Sequence, residues 1–530
     1  MNRRMEPQTR TSLLYQQARR HHQLGEFGEA VGLYAQVLTA RPRHTPTLLY
    51  LGEIAWQTGN LDQAIVLLTR ALAIDPQYTA AHDLLWQVYK AQGDFAAAER
   101  VLRRLIEIRS YDGYNYYHLA LLQQELGNRL EARQLFEQAI RYKPDDGRII
   151  AAFGDLLHAM GHIADASAKY RQALMHDPRN ADYHFQFGYL LTWCGQTQEG
   201  LAHIDRAVLL DPANAVLRQR RAKALLKAGM LREGFMAVRR SEVHWNGEMI
   251  SGRLLVYGAS DIADILQFAR YLPQIKARCG RLILALPKAL MKLFSNLHCV
   301  DEIIEATETG LREAQAEQTV SFAALPLVMG TTLDSIPSHT PYLFADPFLT
   351  HSWVKRLNWK SFKVGLVWSQ TEDQQPPISA SDLERLVSLP GISWYSLQAE
   401  KQTGEDTARY SLPITDCSAS LRDYADQAAL AANMDLIIAI DSPAAHLAAA
   451  IGRPVWTLLP FDANWRWLHR REDSPWYPTM RLFRQNQPGD WDEVLRRVAE
   501  ALGPQSRPFR QFQPLQGKPR EFFAETAVTY

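Results

Sequence analysis

Glycine recurs every 34 residues through the first half of the chain, and this spacing constrains the fold more than any other feature. The positions are Gly25, Gly59, Gly93, Gly127, Gly161, Gly195 and Gly229. A fixed period of this length indicates a repeat architecture in which each unit is one supersecondary element. The first half is therefore predicted to be an array of stacked units, each of which buries its apolar face against its neighbours.

A small residue lies five positions after each of these glycines, and proline closes most of the units. The small residues are Ala30, Ala64, Ala98, Ala132, Ala166, Gly200 and Gly234, and the prolines are Pro42, Pro76, Pro144, Pro178 and Pro212. Glycine permits the tight turn between two helices, the small residue lets the helices touch, and proline ends the second helix. These positions resemble tetratricopeptide repeats, and the resemblance covers residues 11–241 with six full units and a terminal one.

A stack of helical hairpins curves and leaves a groove, which is lined by the first helices of the units. In the repeat frame the groove positions include the aromatic residues Trp56, Tyr117, Phe185 and Tyr189. An aromatic groove suits an extended peptide or a partner helix, so a protein partner is expected there. The alternative is that these rings pack between neighbouring repeats, and the pattern favours neither reading.

After Trp245 the period ends, and short apolar runs alternate with helical segments, which is typical of a parallel α/β architecture. Two Rossmann-like halves are predicted at residues 250–347 and 360–502, followed by a tail at 503–530. Residues 262–278 are predicted to form one amphipathic helix. The predicted strands are 253–257, 281–286, 300–305, 363–368, 392–397, 436–440, 455–459 and 480–483. Two such halves create a cleft between the carboxyl ends of their sheets.

Residues 435–461 contain a complete βαβ unit within the second of these halves. An apolar run of strand length ends at Asp441 and Ser442, and a helix of small residues begins after them. This turn places Asp441, Ser442 and His446 near a helix N-terminus, where free N–H groups and the helix dipole favour a phosphate. The alternative is an ordinary capping turn, because aspartate and serine begin many helices that bind no ligand.

The run from Asp441 to Phe461, together with the later block that contains Asp473, Ser474 and Trp476, resembles a known enzyme domain. It is similar to the heptosyltransferase-like glycosyltransferase domain of bacterial tetratricopeptide-repeat proteins. The resemblance covers residues 245–502 and is most specific at 435–494. It implies a GT-B fold in which the first half binds the acceptor and the second half binds a nucleotide-sugar. The nucleotide-sugar is a co-substrate, and the resemblance implies neither a cofactor nor a metal.

Site residues follow from this resemblance position by position. It implies that Asp441, Ser442, His446, Asp473 and Ser474 bind the donor. It also implies that Asp264 is the general base that accepts the proton of the acceptor hydroxyl during inverting transfer. The diphosphate would be held at the helix N-terminus after Asp441, with the Ser442 hydroxyl donating.

Two loops depart from the family pattern and support an alternative function. Members of that family have glycines in the loop before the first helix, whereas residues 259–264 of this chain contain none. The loop at residues 369–377 is acidic, with Glu372 and Asp373 and no arginine, so it would repel an anionic donor. The alternative function is a non-catalytic repeat scaffold whose transferase-like domain mediates protein–protein interaction.

Composition argues against several other classes of function. The 58 basic and 57 acidic residues give a formal net charge of +1, which does not favour broad capture of nucleic acid or an anionic membrane. No apolar run has the length of a signal peptide or a membrane span, so the chain is predicted to be cytoplasmic. The four cysteines show no CxxC spacing, which predicts reduced thiols and no zinc site.

Tryptophans and arginines alternate near residue 466, and this run has two readings. Trp465, Trp467, Trp476 and Tyr477 are interleaved with arginines, as in a platform on which nucleic-acid bases stack. Acidic residues within the run nearly balance its charge. A packed loop that closes one side of the cleft is therefore the favoured reading.

Overall fold

The computed structural model describes residues 7–239, 244–258, 261–368, 378, 380–398, 412–469 and 471–503. The chain divides into two compact units, Met1–Leu190 and Leu191–Tyr530, which are described separately. The first unit contains helical hairpins alone. The second contains the last hairpins and two parallel sheets.

Fourteen helices are described in the repeat region, and six pairs of consecutive helices pack as hairpins. They are α1 Pro7–Gln23, α2 Phe27–Ala40, α3 Thr45–Gln57, α4 Leu61–Ile74, α5 Thr79–Gln92, α6 Phe95–Ile108, α7 Gly113–Glu125, α8 Arg129–Tyr142, α9 Gly147–Ala159, α10 Ile163–His176, α11 Ala181–Trp193, α12 Thr197–Leu210, α13 Ala215–Lys227 and α14 Leu231–Arg239. Each periodic glycine lies between the two helices of a hairpin, with φ between 76° and 86°. Glycine is required there because a side chain strains this backbone conformation. The predicted hairpin array is confirmed.

The first parallel sheet of the second unit has four strands in the order β3-β2-β1-β4. Its strands are β1 Ile250–Tyr257, β2 Cys279–Leu286, β3 Glu302–Glu305 and β4 Gln318–Ser321. The helices of this half are α15 Ile262–Phe268, α16 Leu272–Lys276, α17 Lys288–Phe294, α18 Glu308–Glu313 and α19 Leu325–Val328. Tyr257 ends β1, so the loop that carries Asp261 and Asp264 leaves the carboxyl edge of this sheet.

The second sheet has six parallel strands in the order β10-β9-β8-β5-β6-β7. Its strands are β5 Phe362–Val367, β6 Ile392–Ser396, β7 Ile414–Thr415, β8 Leu436–Ile440, β9 Val455–Leu459 and β10 Met480–Arg484. The helices are α20 Pro347–Trp353, α21 Ala380–Val387, α22 Tyr424–Ala431, α23 Pro443–Ala450 and α24 Trp491–Leu502. Pairs such as Ile437 with Val455 set the register of β8 against β9.

One predicted helix is interrupted in the structure. Residues 262–278 form α15, then a 3-10 turn over Ala269–Tyr271, and then the short helix α16. Pro273 lies in the first turn of α16, where its missing N–H removes no helical hydrogen bond. The sequence prediction of one continuous helix was therefore wrong, and the break turns Arg270 into the space between the two halves.

The two halves share one apolar core, which also includes residues of the last repeat hairpin. Leu226 and Phe235 of the hairpin, Leu254 and Phe268 of the first half, and Ala445 of the second belong to the same buried cluster. Helix α15 packs directly against α23. The two halves are consequently joined by buried side chains. Among the described helices, none combines the length and the apolar character needed to cross a membrane.

Candidate functional site

The turn after β8 is a capped helix start. Ser442 is the N-cap of α23, and its Oγ accepts a hydrogen bond from the Ala445 N–H at 3.4 Å. The same hydroxyl donates to the carbonyl oxygen of Ile440 at 2.9 Å. Ser442 is buried, so this hydroxyl already has a structural role. Its predicted role as a donor to a diphosphate stays a prediction and would require the hydrogen to leave Ile440.

His446 is fully buried one turn into α23 and connects Asp441 with the aromatic core. Its Nδ1 lies 2.8 Å from the Tyr477 hydroxyl oxygen, and its Nε2 lies 3.8 Å from Asp441 Oδ1. The Trp467 ring stacks on the imidazole with centroids 5.3 Å apart. Burial raises the pKa of Tyr477, so its hydroxyl is protonated and donates to Nδ1. This contact assigns the His446 proton to Nε2, which faces Asp441.

The charges of Asp441 and His446 are controlled by burial and by each other. Burial opposes ionisation of Asp441, but His446, Arg466 and the Trp467 N–H outweigh it and hold the Asp441 pKa below its ordinary value. Burial lowers the pKa of His446 below 6.5, and Asp441 only partly offsets that effect. At neutral pH the pair is therefore an ionised carboxylate beside a neutral imidazole.

Arg466 joins the loop after β9 to the first half of the domain. It lies in a 3-10 turn over Trp465–Trp467 and is almost completely buried. Its Nε donates to Gln267 Oε1 at 2.8 Å, and its Nη2 donates to Asp261 Oδ2 at 2.9 Å and to Asp264 Oδ1. The candidate base Asp264 is thus in an ion pair, with its side chain 13% exposed.

Burial disfavours the Arg466 cation, but Asp264, Asp261 and Asp441 together raise its pKa above the ordinary value. The Arg466 cation also lowers the pKa of Asp441, so its charge acts on both predicted sides of the site. Sequence reasoning missed Arg466 as a site residue. The signal was present in the arginines that alternate with Trp465 and Trp467, which the sequence analysis assigned to packing.

A second buried arginine, Arg270, connects the two halves, and no role was predicted for it from the sequence. It donates to the carbonyl oxygens of Gln267 at 2.7 Å, Pro337 at 3.2 Å and Trp476, and to the Tyr342 hydroxyl at 3.0 Å. The guanidinium also lies over the Tyr477 ring at 4.6 Å from its centroid. These contacts hold the Trp476 segment against α15 and the Tyr342 segment.

The later block of the resemblance contributes mainly packing. Trp467, Trp476 and Tyr477 are fully buried, which confirms the packed loop. Ser474 is buried, and its Oγ accepts a hydrogen bond from the Trp476 N–H at 3.2 Å. Asp473 is 69% exposed and forms an ion pair with Arg471 at 2.6 Å. The donor-binding roles of Asp473 and Ser474 stay predictions.

Two buried N–H groups of Arg484, Nε and Nη1, have no hydrogen-bond partner among the described residues. The N–H groups of His446 and Trp467 instead face Asp441 and stabilise its ionised form. Arg484 Nη2 donates to the carbonyl oxygens of Trp467 and Leu468 at 3.2 and 2.7 Å, so this guanidinium contacts the loop whose Trp467 ring stacks on His446. Buried donors without acceptors are costly, so the two remaining N–H groups of Arg484 favour an anionic ligand.

The four predicted groove residues differ in exposure. Phe185 is buried and stacks on Tyr189 with centroids 6.1 Å apart, as packing within the array requires. Tyr117 and Trp56 are half-buried, and Tyr117 meets the Phe136 ring edge-on at 6.1 Å. Trp56, Tyr117 and Tyr189 therefore keep accessible area for a partner, whereas Phe185 offers almost none.

Lowering the pH from 7 to 5 is expected to destabilise the second unit through His446. The unfolded histidine binds a proton near pH 6.5, whereas the buried one resists it, so stability falls as the pH decreases through this window. The variant His446→Gln should lose stability at pH 7 but show a shallower dependence on pH. Thermal unfolding at a series of pH values measures how the stability of the wild type and of the variant depends on pH. Equal pH dependence in the two proteins would contradict the assignment of this effect to His446.

Two comparisons with known sequences match parts of this chain. The Tetratricopeptide repeat family matches residues 21–87, 55–110 and 123–186. Protein FlbA of Caulobacter vibrioides is 28% identical over 296 residues, which cover 49% of this chain and 48% of FlbA. The chain thus spans about half the length of this curated relative.

Solved structures of repeat proteins are similar to parts of the chain. The crystal structure of MamA is 25% identical, covers 30% of this chain and 94% of its own, and has a TM-score of 0.29. A tetratricopeptide repeat protein from Parabacteroides merdae is 18% identical, covers 44% of this chain and 92% of its own, and has a TM-score of 0.39. The repeats are established, and repeats of this type are scaffolds for protein–protein interaction.

Proposed function

We propose that residues 250–502 form a GT-B-type domain that binds a nucleotide-sugar and transfers its sugar with inversion, while the repeats recruit a protein or glycan acceptor. The observation that supports this proposal is the pair of unpartnered N–H groups on Arg484, Nε and Nη1, at the end of β10. A diphosphate supplies the acceptor oxygens that these groups lack. The N-terminus of α23 would add its dipole on the same side.

The transfer itself needs a base and a stabilised leaving group. The acceptor hydroxyl gives its proton to Asp264 as its oxygen bonds to the anomeric carbon. The bond from that carbon to the diphosphate then breaks, and the nucleoside diphosphate leaves with the electron pair. Arg466 binds Asp264, and its charge also acts on Asp441, so a shift of its guanidinium from Asp264 toward the diphosphate would free the base and neutralise the leaving group together.

Ligand binding at Arg484 tests whether the domain binds a nucleotide-sugar. Thermal shift and calorimetry are run with inorganic diphosphate, nucleoside diphosphates and a panel of nucleotide-sugars. Saturable stabilisation is expected. The variant Arg484→Met should weaken binding by about tenfold or more, because a hydrogen bond to a charged group contributes about 1.5–3 kcal/mol.

The matched control is Arg481→Met on the same strand. Arg481 is 48% exposed and lies over the Phe483 ring, so its loss should leave ligand affinity unchanged. If no ligand of the panel raises the unfolding temperature, the nucleotide-sugar proposal is rejected.

A non-catalytic scaffold is the second candidate function, and the Arg466–Asp264 ion pair favours it. A carboxylate held by a buried guanidinium is a poor base, and the pair connects the two halves as a structural contact would. In that case the repeat groove would be the working surface, with Trp56, Tyr117 and Tyr189 contacting an extended peptide or a helix.

A further inference from the structure

The last repeat hairpin packs against the loop that carries Arg466. Phe235 of α14 meets Trp465 edge-on with centroids 5.4 Å apart and contacts Phe268 of α15 at 6.2 Å. At the start of the same loop, Trp193 at the end of α11 contacts Phe461 with centroids 4.6 Å apart. Aromatic contacts from the repeats thus reach both Phe461 and Trp465.

A buried ion pair adds to these contacts. Lys227, the last residue of α13, donates to Asp462, and its side chain is 8% exposed against 46% for Asp462. Arg484 lies near the same carboxylate and binds the carbonyl oxygens of Trp467 and Leu468 from the strand side. The loop from Phe461 to His469 is therefore held by the repeat hairpin on one side and by β10 on the other.

The conformation of this loop is imposed by its neighbours. Leu468 has φ of 47°, which a leucine rarely adopts when its surroundings do not demand it. Arg466 lies two residues before Leu468. The guanidinium of Arg466 donates to Asp261, which caps α15, and to Asp264 and Gln267 within α15. A displacement of the loop would therefore move Arg466 relative to these acceptors.

We propose that the terminal repeat hairpin positions Arg466, with Lys227 as the positioning residue through its contact with Asp462. A partner that shifts α13 or α14 then alters the candidate site, so the repeats regulate the domain as well as recruit to it. The effect on ligand affinity rests on the proposed function. The positioning of the loop does not.

Hydrogen exchange in the full-length protein tests the positioning without any ligand. The variant Lys227→Met keeps the bulk of the side chain and removes its charge, and Asp462→Asn removes the same pair from the half-exposed side. Both should accelerate amide exchange in residues 461–469 and 261–264 by about tenfold relative to the wild type, with the β8 and β9 amides unchanged. Lys227→Arg keeps a cation at this position, so it should keep the wild-type protection of the amides in residues 461–469 and 261–264.

Lys223→Met is the matched control, because Lys223 is exposed on the same helix. It should exchange as the wild type does. The proposal would be overturned if exchange at residues 461–469 were unchanged in both Lys227→Met and Asp462→Asn. Acceleration spread evenly over the second unit would overturn it as well. A parallel titration with inorganic diphosphate, nucleoside diphosphates and the nucleotide-sugar panel separates the two ideas. Absence of binding of every one of these ligands to the wild type rejects the proposed function, whereas the exchange data alone decide the positioning.

Discussion

Replacing Arg270 by methionine is expected to destabilise the second unit by about 4 kcal/mol, since removing a buried, fully bonded cation leaves its partners unsatisfied. The carbonyl oxygens of Gln267, Pro337 and Trp476 would lose their donor, and the Tyr342 hydroxyl would lose a contact at 3.0 Å. Methionine fills much of the space but donates no hydrogen bond. In a unit of this size the unfolding temperature should fall by about 6 °C.

Native-state hydrogen exchange at β8 and β9 measures this loss, because central strand amides report the global opening of the unit. Arg281→Met is the matched control. Arg281 is 51% exposed and pairs with Glu302 at 2.9 Å, so its loss should change stability by no more than about 1 kcal/mol. Similar losses in the two variants would mean that the contacts of Arg270 do not hold the halves together.

The features predicted correctly from sequence are those whose signals are local. The glycine period predicted the hairpins, because each hairpin needs its own turn residue. The strands β8 and β9 have the predicted bounds, since each is an apolar run between residues that end a strand. Pro273 was visible in the sequence, but its break in the helix was missed because the apolar period continues across it.

The contacts that define the candidate site are long-range, and no local pattern contains them. Arg466 is 202 residues from Asp264, and Lys227 is 235 residues from Asp462. Asp441 was selected from the turn after β8 and Asp264 through a family resemblance, and neither signal indicated which cation acts on both. The run that contains Arg466 was predicted to be a packed loop, and Arg466 is buried in the structure. Its charge, however, interacts with both Asp264 and Asp441.

Asp264→Asn is expected to reduce sugar transfer by about 10²- to 10⁴-fold while leaving donor binding within about twofold of the wild type. Asparagine has the same shape and can still accept a hydrogen bond from Arg466, but it cannot take the proton of the acceptor hydroxyl. Initial rates with the donor identified by the ligand panel, and calorimetry with the same donor, measure the two effects separately.

Asp261→Asn is the decisive comparison with Asp264→Asn. Asp261 contacts the same Arg466 guanidinium, but it is the helix cap and is more exposed than Asp264. Its Oδ1 accepts from the Ala263 N–H at 2.9 Å as the cap of α15, and its side chain is 50% exposed. An asparagine can cap the helix equally well. If Asp264 is the base, only Asp264→Asn removes transfer. If the two acids merely anchor Arg466, both variants should reduce transfer and donor affinity together, because each weakens the binding of the same cation.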